Sequence, residues 1–200
     1  MLQSKSSNLS GLFSIKNTQQ QKEDSSQKQN EDTSLYNEFF KNGGLIGDVI
    51  SDRGSTFQAH AISITNMGEF NRNYQCILSN IKVKKATHNI MAYRIKKEDQ
   101  SSKDKDKDKE MDKEVSNKKV TKKNKKVEDS FTTEGFDDDG EDSAGIRLLG
   151  LLQKMKVVNI MVIVSRWFGG TLLGLDRFKH INDSAQILIS DNRTSFQFAD

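Results

Sequence analysis

The chain has 200 residues, of which 34% are hydrophobic and 30% charged, with a formal net charge of +3. That balance is too lean for a core running its full length and allows one domain with polar appendages. The single cysteine, Cys76, rules out an internal disulfide framework and fits a reducing compartment, and no apolar run approaches the roughly 20 residues of a membrane-spanning helix.

Residues 1–45 are mostly Ser, Gln, Asn and Lys between Gly11 and Asp32, a composition that does not offset the entropy of ordering and predicts a disordered, low-complexity region. The first residues lack a secretory apolar stretch. They share Ser, Lys and few acids with mitochondrial presequences but contain no Arg, so a cytoplasmic protein is expected. Asp52-Arg53-Gly54-Ser55 reads as a turn. Thr56–Ile64 alternates as a strand, with Phe57, Ala59, Ala61 and Ser63 on one face and Gln58, His60, Ile62 and Ile64 on the other. A helix is expected near Glu69–Ile81, where Phe70, Tyr74, Ile77, Leu78 and Ile81 recur at spacings of three and four, with Asn66 or Thr65 as its cap. Thr87–Ile95 is a second strand.

Residues 97–133 form an insert without an apolar stripe. Residues 96–126 hold 13 Lys against 8 Asp and Glu, or +5, which leaves about −2 for the rest. Net charge therefore implies no nucleic-acid footprint on the folded part. The insert reads as a solvated spacer, with a nuclear-import signal or an RNA-tethering arm over Lys118–Lys126 as alternatives. Structure resumes at Phe136. A helix capped by Asp142 or Ser143 carries Ile146, Leu149, Leu152 and Met155 on its apolar face. Val157–Val164 is apolar on both sides except at Asn159 and predicts a central buried strand. Ser165–Gly174 reads as a Gly-rich loop, and Asp176 as the cap of a last helix that buries Phe178, Ile181, Ala185, Leu188 and Ile189. Strand-helix-strand, insert, helix-strand-helix predicts an α/β (α+β) two-layer sandwich over residues 46–190, with a mixed sheet, helices on one face and a short tail at 191–200.

Several chemical motifs fail on inspection. Gly169-Gly170-Thr171-Leu172-Leu173-Gly174 begins like a P-loop, but Leu175 and Asp176 stand where Lys and Ser/Thr contact phosphates and magnesium, and an acid at a helix start repels phosphate. The same run lacks the Gly-x-Gly step of a dinucleotide fold. The acids Asp137 to Asp142 do not place Gly and Glu as a calcium loop requires, and fit favourable contacts with a helix N-terminus. His60, His88 and His180 share no metal-ligand spacing with one another or with Cys76. No cofactor and no metal are expected. Ser165 at a strand end has no assigned base. Ser165-Arg166-Trp167-Phe168-Gly169-Gly170 is the least bland segment: its Arg and aromatics fit either an exposed recognition patch or a covered sheet end with Arg166 paired to the Asp137–Glu141 acids.

Four ordered blocks carry a resemblance: ISDRGSTFQAHA, KKATHNIMAYRI, DDDGEDSAGIRLLGLL and VSRWFGGTLLGLDRFKHIND. They resemble the IMPACT family of translation regulators, with Leu175 where the family usually has Pro and Gly54 where it usually has Arg. The resemblance implies a fold like the second domain of ribosomal protein S5 and no established catalytic residues. It also implies a part in general amino-acid control: binding the large ribosome-associated co-activator of the starvation-sensing initiation-factor kinase, keeping it from that kinase and so sustaining translation initiation. Monomeric actin is a further partner that it implies. The family's N-terminal RWD domain, implicated in co-activator binding, is not expected within residues 1–45, which are too short and too polar, so a short form is expected.

Three readings follow. The first is a non-enzymatic regulator with a recognition surface of Asp139, Glu141, Arg147, Arg166, Trp167, Asp176, Arg177, Lys179 and His180. The second is a ribosome- or RNA-associated module gripping through the Lys-rich insert. The third is a hydrolase using Ser165, His88 and the acidic turn.

Overall fold

The computed structural model describes residues 34–96 and 132–199. The expectations for residues 1–33 and 97–131 lie outside the described residues. An N-terminal helix, α1, covers residues 34–41. It is followed by β1 (Leu45–Ile46), β2 (Ile50–Asp52), β3 (Ser55–Ser63), α2 (Met67–Ser79), the short α3 (Ile81–Lys84) and β4 (His88–Lys96). After the insert come β5 (Thr132–Asp137), α4 (Ala144–Lys154), β6 (Val157–Val158), β7 (Ile160–Trp167), α5 (Asp176–Asp191), a 3-10 turn (Arg193–Ser195) and β8 (Gln197–Phe198).

The main sheet runs β1-β3-β7-β4-β5, with β2 also paired to β3. Every strand pair in it is antiparallel. The α+β class expected from sequence holds; the layering differs. Helices α4 and α5 cover one face, where Leu148, Leu152, Ile181 and Leu188 pack on Ala59, Ala61, Ala92 and Val162. Helices α1, α2 and α3 cover the other, where Phe39, Phe70, Ile77 and Val83 pack on Ile62, Met91, Met161 and Ile163. The one-face arrangement and the mixed sheet are thus corrected to helices on both faces of an antiparallel sheet. The cause is β7: its residues 160–166 are all buried, and a strand apolar on both sides requires cover on both sides.

The boundaries move for related reasons. The folded part starts before residue 46, because Phe39 of α1 is fully buried. It also reaches past residue 190: β8 pairs with β6 through Val157↔Phe198 and Val158↔Gln197, and Phe196 joins the core. Asn159 takes a positive φ of 55° and splits the expected strand into β6 and β7. Its amide then ties three elements, accepting from Lys96 N at 2.9 Å and donating to Gln197 Oε1 at 2.5 Å. In α4 the buried face is Ala144, Gly145, Leu148, Leu149 and Leu152, at spacings of three and four, which keeps the expected Leu149 and Leu152, while Ile146 points outward. Buried Arg94 crosses beneath the end of that helix. It donates to the carbonyls of Leu152 (3.3 Å) and Val157 (2.9 Å) and to Glu134 (3.2 Å), satisfying a helix C-terminus by charge and hydrogen bonding.

Candidate functional site

The sheet end formed by the last residues of β7 and the first of β4 carries most of the charged residues singled out above. β7 does not stop at Val164 as the sequence suggests. Ser165, Arg166 and Trp167 continue in register, with Phe57↔Arg166 on one side and His88↔Arg166 on the other. The Gly-rich run that follows reads as loop from Ser165 on, but two neighbouring strands hold the backbone of these three residues extended. Period-two alternation then sends Arg166 to the α4–α5 face and Trp167 to the opposite one, so the two do not form one patch.

On the α4–α5 face, Glu141 lies at the centre of a cluster. Its carboxylate, 5% exposed with its residue, accepts hydrogen bonds from Arg166 Nη1 and, at 2.6 Å, from Arg177 Nε. The ring of His88 comes within 3.7 Å of it. Two guanidiniums on one buried carboxylate form a lock that ties the β5–α4 turn, β7 and α5 together. Arg177 also donates to Gly174 O at 2.5 Å, and Arg147 and Arg177 stack against the Phe178 ring at 4.6 and 4.1 Å.

The acidic turn is held by backbone amides. Asp138 Oδ1 accepts from Gly145 N at 2.6 Å and Oδ2 from Ser143 N at 3.2 Å. Asp138 therefore does the capping assigned to Asp142 or Ser143; Ser143 itself has φ 65° and makes no side-chain cap. Asp139 Oδ2 accepts from Asn89 N at 2.7 Å, and its carbonyl bonds His88 Nδ1 at 2.7 Å. Among the described residues no group of three His, Cys, Asp or Glu side chains is arranged to hold a metal ion.

A second network sits beside the first. Asp52 meets His180 Nε2 at 2.8 Å and Arg53 Nη2 at 2.9 Å, and Arg53 reaches Asp176 at 2.5 Å. The bonds from Arg53 and His180 hold the Asp52 carboxyl down at about 2. Asp176 is the first residue of α5, with Leu175 at the cap position, so its carboxylate serves Arg53 and the helix dipole. The turn that supplies Arg53 needs glycine. Gly54 has φ 83°, and a Cβ on Gly169 would lie 1.9 Å from the Gly54 carbonyl carbon. The hairpin tip and the Gly-rich loop touch backbone to backbone.

Ser165 faces the other side of the sheet from His88 and Arg166, and its hydroxyl donates to Asn89 Oδ1 at 2.7 Å. The structure does not bring Ser165 and His88 together as a nucleophile and base. Trp167 is half-buried and donates its indole N–H to Lys82 O at 3.0 Å. It lines an open cleft with Tyr36, Phe40, Ile46 and His60.

Of the nine predicted surface residues, Glu141 and Arg166 are buried in their mutual pair, and Arg177 and His180 are half-buried in ion pairs. Arg147, Asp176 and Lys179 are exposed beside them; Asp139 is exposed too but lines the α2–α3 side with Tyr74 and Leu78, and Trp167 stands apart. Sequence reasoning missed Asp52, Arg53 and Asp138 as partners, because no periodicity marks a turn carboxylate's amide. It also missed α1, although Tyr36, Phe39 and Phe40 at spacings of three and four carried the signal.

Fold and site define an antiparallel α+β domain whose sheet end is closed by an interlocked ion-pair cluster. The chain belongs to the Impact N-terminal domain family, whose model matches residues 53–189. It is 41% identical over 150 residues to Protein IMPACT of Rattus norvegicus, covering 74% of this chain and 38% of that one. To the IMPACT homolog of Caenorhabditis elegans it is 37% identical over 146 residues, covering 73% and 46%. The chain thus spans less than half the length of these relatives. Among solved structures, a hypothetical protein at 17% identity shares the fold, with a TM-score of 0.50 over 78% of this chain and 63% of that one. The two-domain translational regulator Yih1 matches at 34% identity and a TM-score of 0.45, over 74% and 46%.

Proposed function

We propose that this protein regulates translation without catalysing a reaction, by binding another protein. Its partner in this reading is the large co-activator of the starvation-sensing initiation-factor kinase, and its effect is to keep that co-activator from the kinase. The observation that carries the reading is membership in the Impact N-terminal family across residues 53–189. The geometry of the sheet end supports it. The groups with catalytic potential are engaged in structural bonds: Glu141 with Arg166 and Arg177, and Ser165 with Asn89. What faces solvent beside the Glu141 cluster is a charged set of Arg147, Asp176 and Lys179, with Asp139 exposed at the same sheet end.

The test is co-precipitation of the co-activator with the purified chain. Retention by the wild type and a clear loss in Arg147→Glu/Lys179→Glu, both at exposed positions, is the expected result. No retention by a folded wild-type chain would refute the reading.

A further inference from the structure

The face of the sheet opposite the Glu141 cluster holds an open cleft of about 420 Å³, a size typical of binding pockets. Its apolar walls come from four separate elements: Tyr36 and Phe40 of α1, Ile46 of β1, Ile81 of α3 and Trp167 of β7. Phe40 and Ile46 stay 40% and 41% exposed, Phe40 edge-on to the buried Phe39 ring at 5.2 Å. His60, on β3, is 1% exposed, bonded through Nε2 to the Tyr36 hydroxyl at 3.0 Å, and kept neutral by burial.

Two observations say what fits there. The first is charge. Lys82 is the single charged side chain in the lining, which contains no carboxylate. Its residue is exposed, and it makes no ion pair among the described residues. The second is the backbone of β1, the edge of the sheet. Gly47 N donates to Ala59 O at 2.9 Å, and Ile46 lies opposite His60. In an antiparallel ladder this makes Ile46 a non-hydrogen-bonded pair member, so its N–H and C=O point away from β3. An edge donor and acceptor beside an apolar cleft is the arrangement that adds a strand from an extended peptide.

We infer that this cleft docks an extended acidic peptide segment of a partner protein. A Phe, Leu or Ile of that segment seats between Phe40, Ile46 and Trp167, and a neighbouring carboxylate meets the Lys82 ammonium. The inference rests on the protein-binding reading above and adds a second contact face, on the side of the sheet away from that charged set.

The test uses the full chain. Dodecapeptides displayed on phage are selected on it, and recovered peptides are titrated while the emission of Trp167, its sole tryptophan, is followed. The expected peptides carry Asp or Glu beside Phe, Leu or Ile. They shift the Trp167 emission, and they bind at least about fivefold more weakly to Lys82→Glu and to Phe40→Asp. Amide spectra of both variants check that these exposed substitutions leave the fold intact. Failure to recover any binder, recovered binders free of acids, or a smaller loss in either variant overturns the inference.

A parallel co-activator precipitation separates the two readings. Equal retention by wild type and Phe40→Asp removes the cleft from the interface and leaves the partner assignment standing. Peptide binding without co-activator retention removes the partner assignment and leaves the cleft.

Discussion

Glu141 is the residue on which the charged sheet end depends. Its carboxylate is buried, and both Arg166 and Arg177 point at it, so removing its charge strands a buried guanidinium. Breaking such a pair costs about 3–5 kcal/mol. Glu141→Gln should lower the urea midpoint by an amount of that order without altering the denaturant slope, and a change within error would show that the cluster is not under load. His60 has the opposite character. Burial pushes its imidazole down to about 4 from an ordinary 6.5, so the unfolded chain binds a proton that the folded chain refuses. Its contribution is intact above pH 6.5 and falls away as pH drops from there to about 4, by roughly 3 kcal/mol in all. The difference in stability between wild type and His60→Gln, followed by thermal melts across that window, should trace this loss. Asp52 adds a further decline below it, since a depressed carboxyl pKa favours the fold only above the ordinary carboxylate range and fails as pH falls towards 2.

At the level of elements, what the sequence made legible was the pattern of burial, and what it hid was where polar residues serve the backbone. Alternation in β3 placed Phe57 and Ala59 on one face and Ile62 on the other, as found. The doubly apolar run in β7 already contained the need for cover on both faces, although the helices were assigned to one. Strand ends were harder. Ser165-Arg166-Trp167 has no apolar alternation, and only the registers to β3 and β4 reveal it as strand. Of the two fates open to Arg166, pairing with the acidic turn is the one adopted, yet no sequence rule distinguishes Glu141 from its four acidic neighbours. The cap of α4 shows the same limit. Asp138 lies five residues before Ser143, so its bonds to Ser143 N and Gly145 N depend on the left-handed residues Asp139 and Gly140 folding the turn back. Asp138→Ala should cost about 1 kcal/mol, the worth of a helix cap, measurable by chemical denaturation. Gly169→Ala is a sharper test of the contact between hairpin and loop. Its Cβ would meet the Gly54 backbone, and the forced shift should cost roughly 1–3 kcal/mol. Full stability in that variant would mean that the two tips separate freely.

Across the described residues, the main antiparallel sheet lies between two helical layers, with the small β6–β8 sheet beside it, and each layer carries a different surface. The α4–α5 side ends in the locked cluster and the charged set beside it. The α1–α3 side ends in the cleft around Trp167. The family match begins at residue 53, whereas the core begins earlier: Phe39 of α1 is fully buried against Ile62 and Met161. Phe39→Ala should cost about 3–5 kcal/mol, as for other buried aromatics. A calorimetric scan that finds it neutral would detach α1 from the domain. In the function proposed above, a protein partner, the co-activator, is held by this chain and so kept from its kinase. The most direct measurement is a competition in which the purified chain is titrated into a preformed complex of co-activator and kinase. Dose-dependent release of the kinase by the wild type, weakened in Arg147→Glu/Lys179→Glu, is the predicted result. A complex left intact at saturating chain would contradict it.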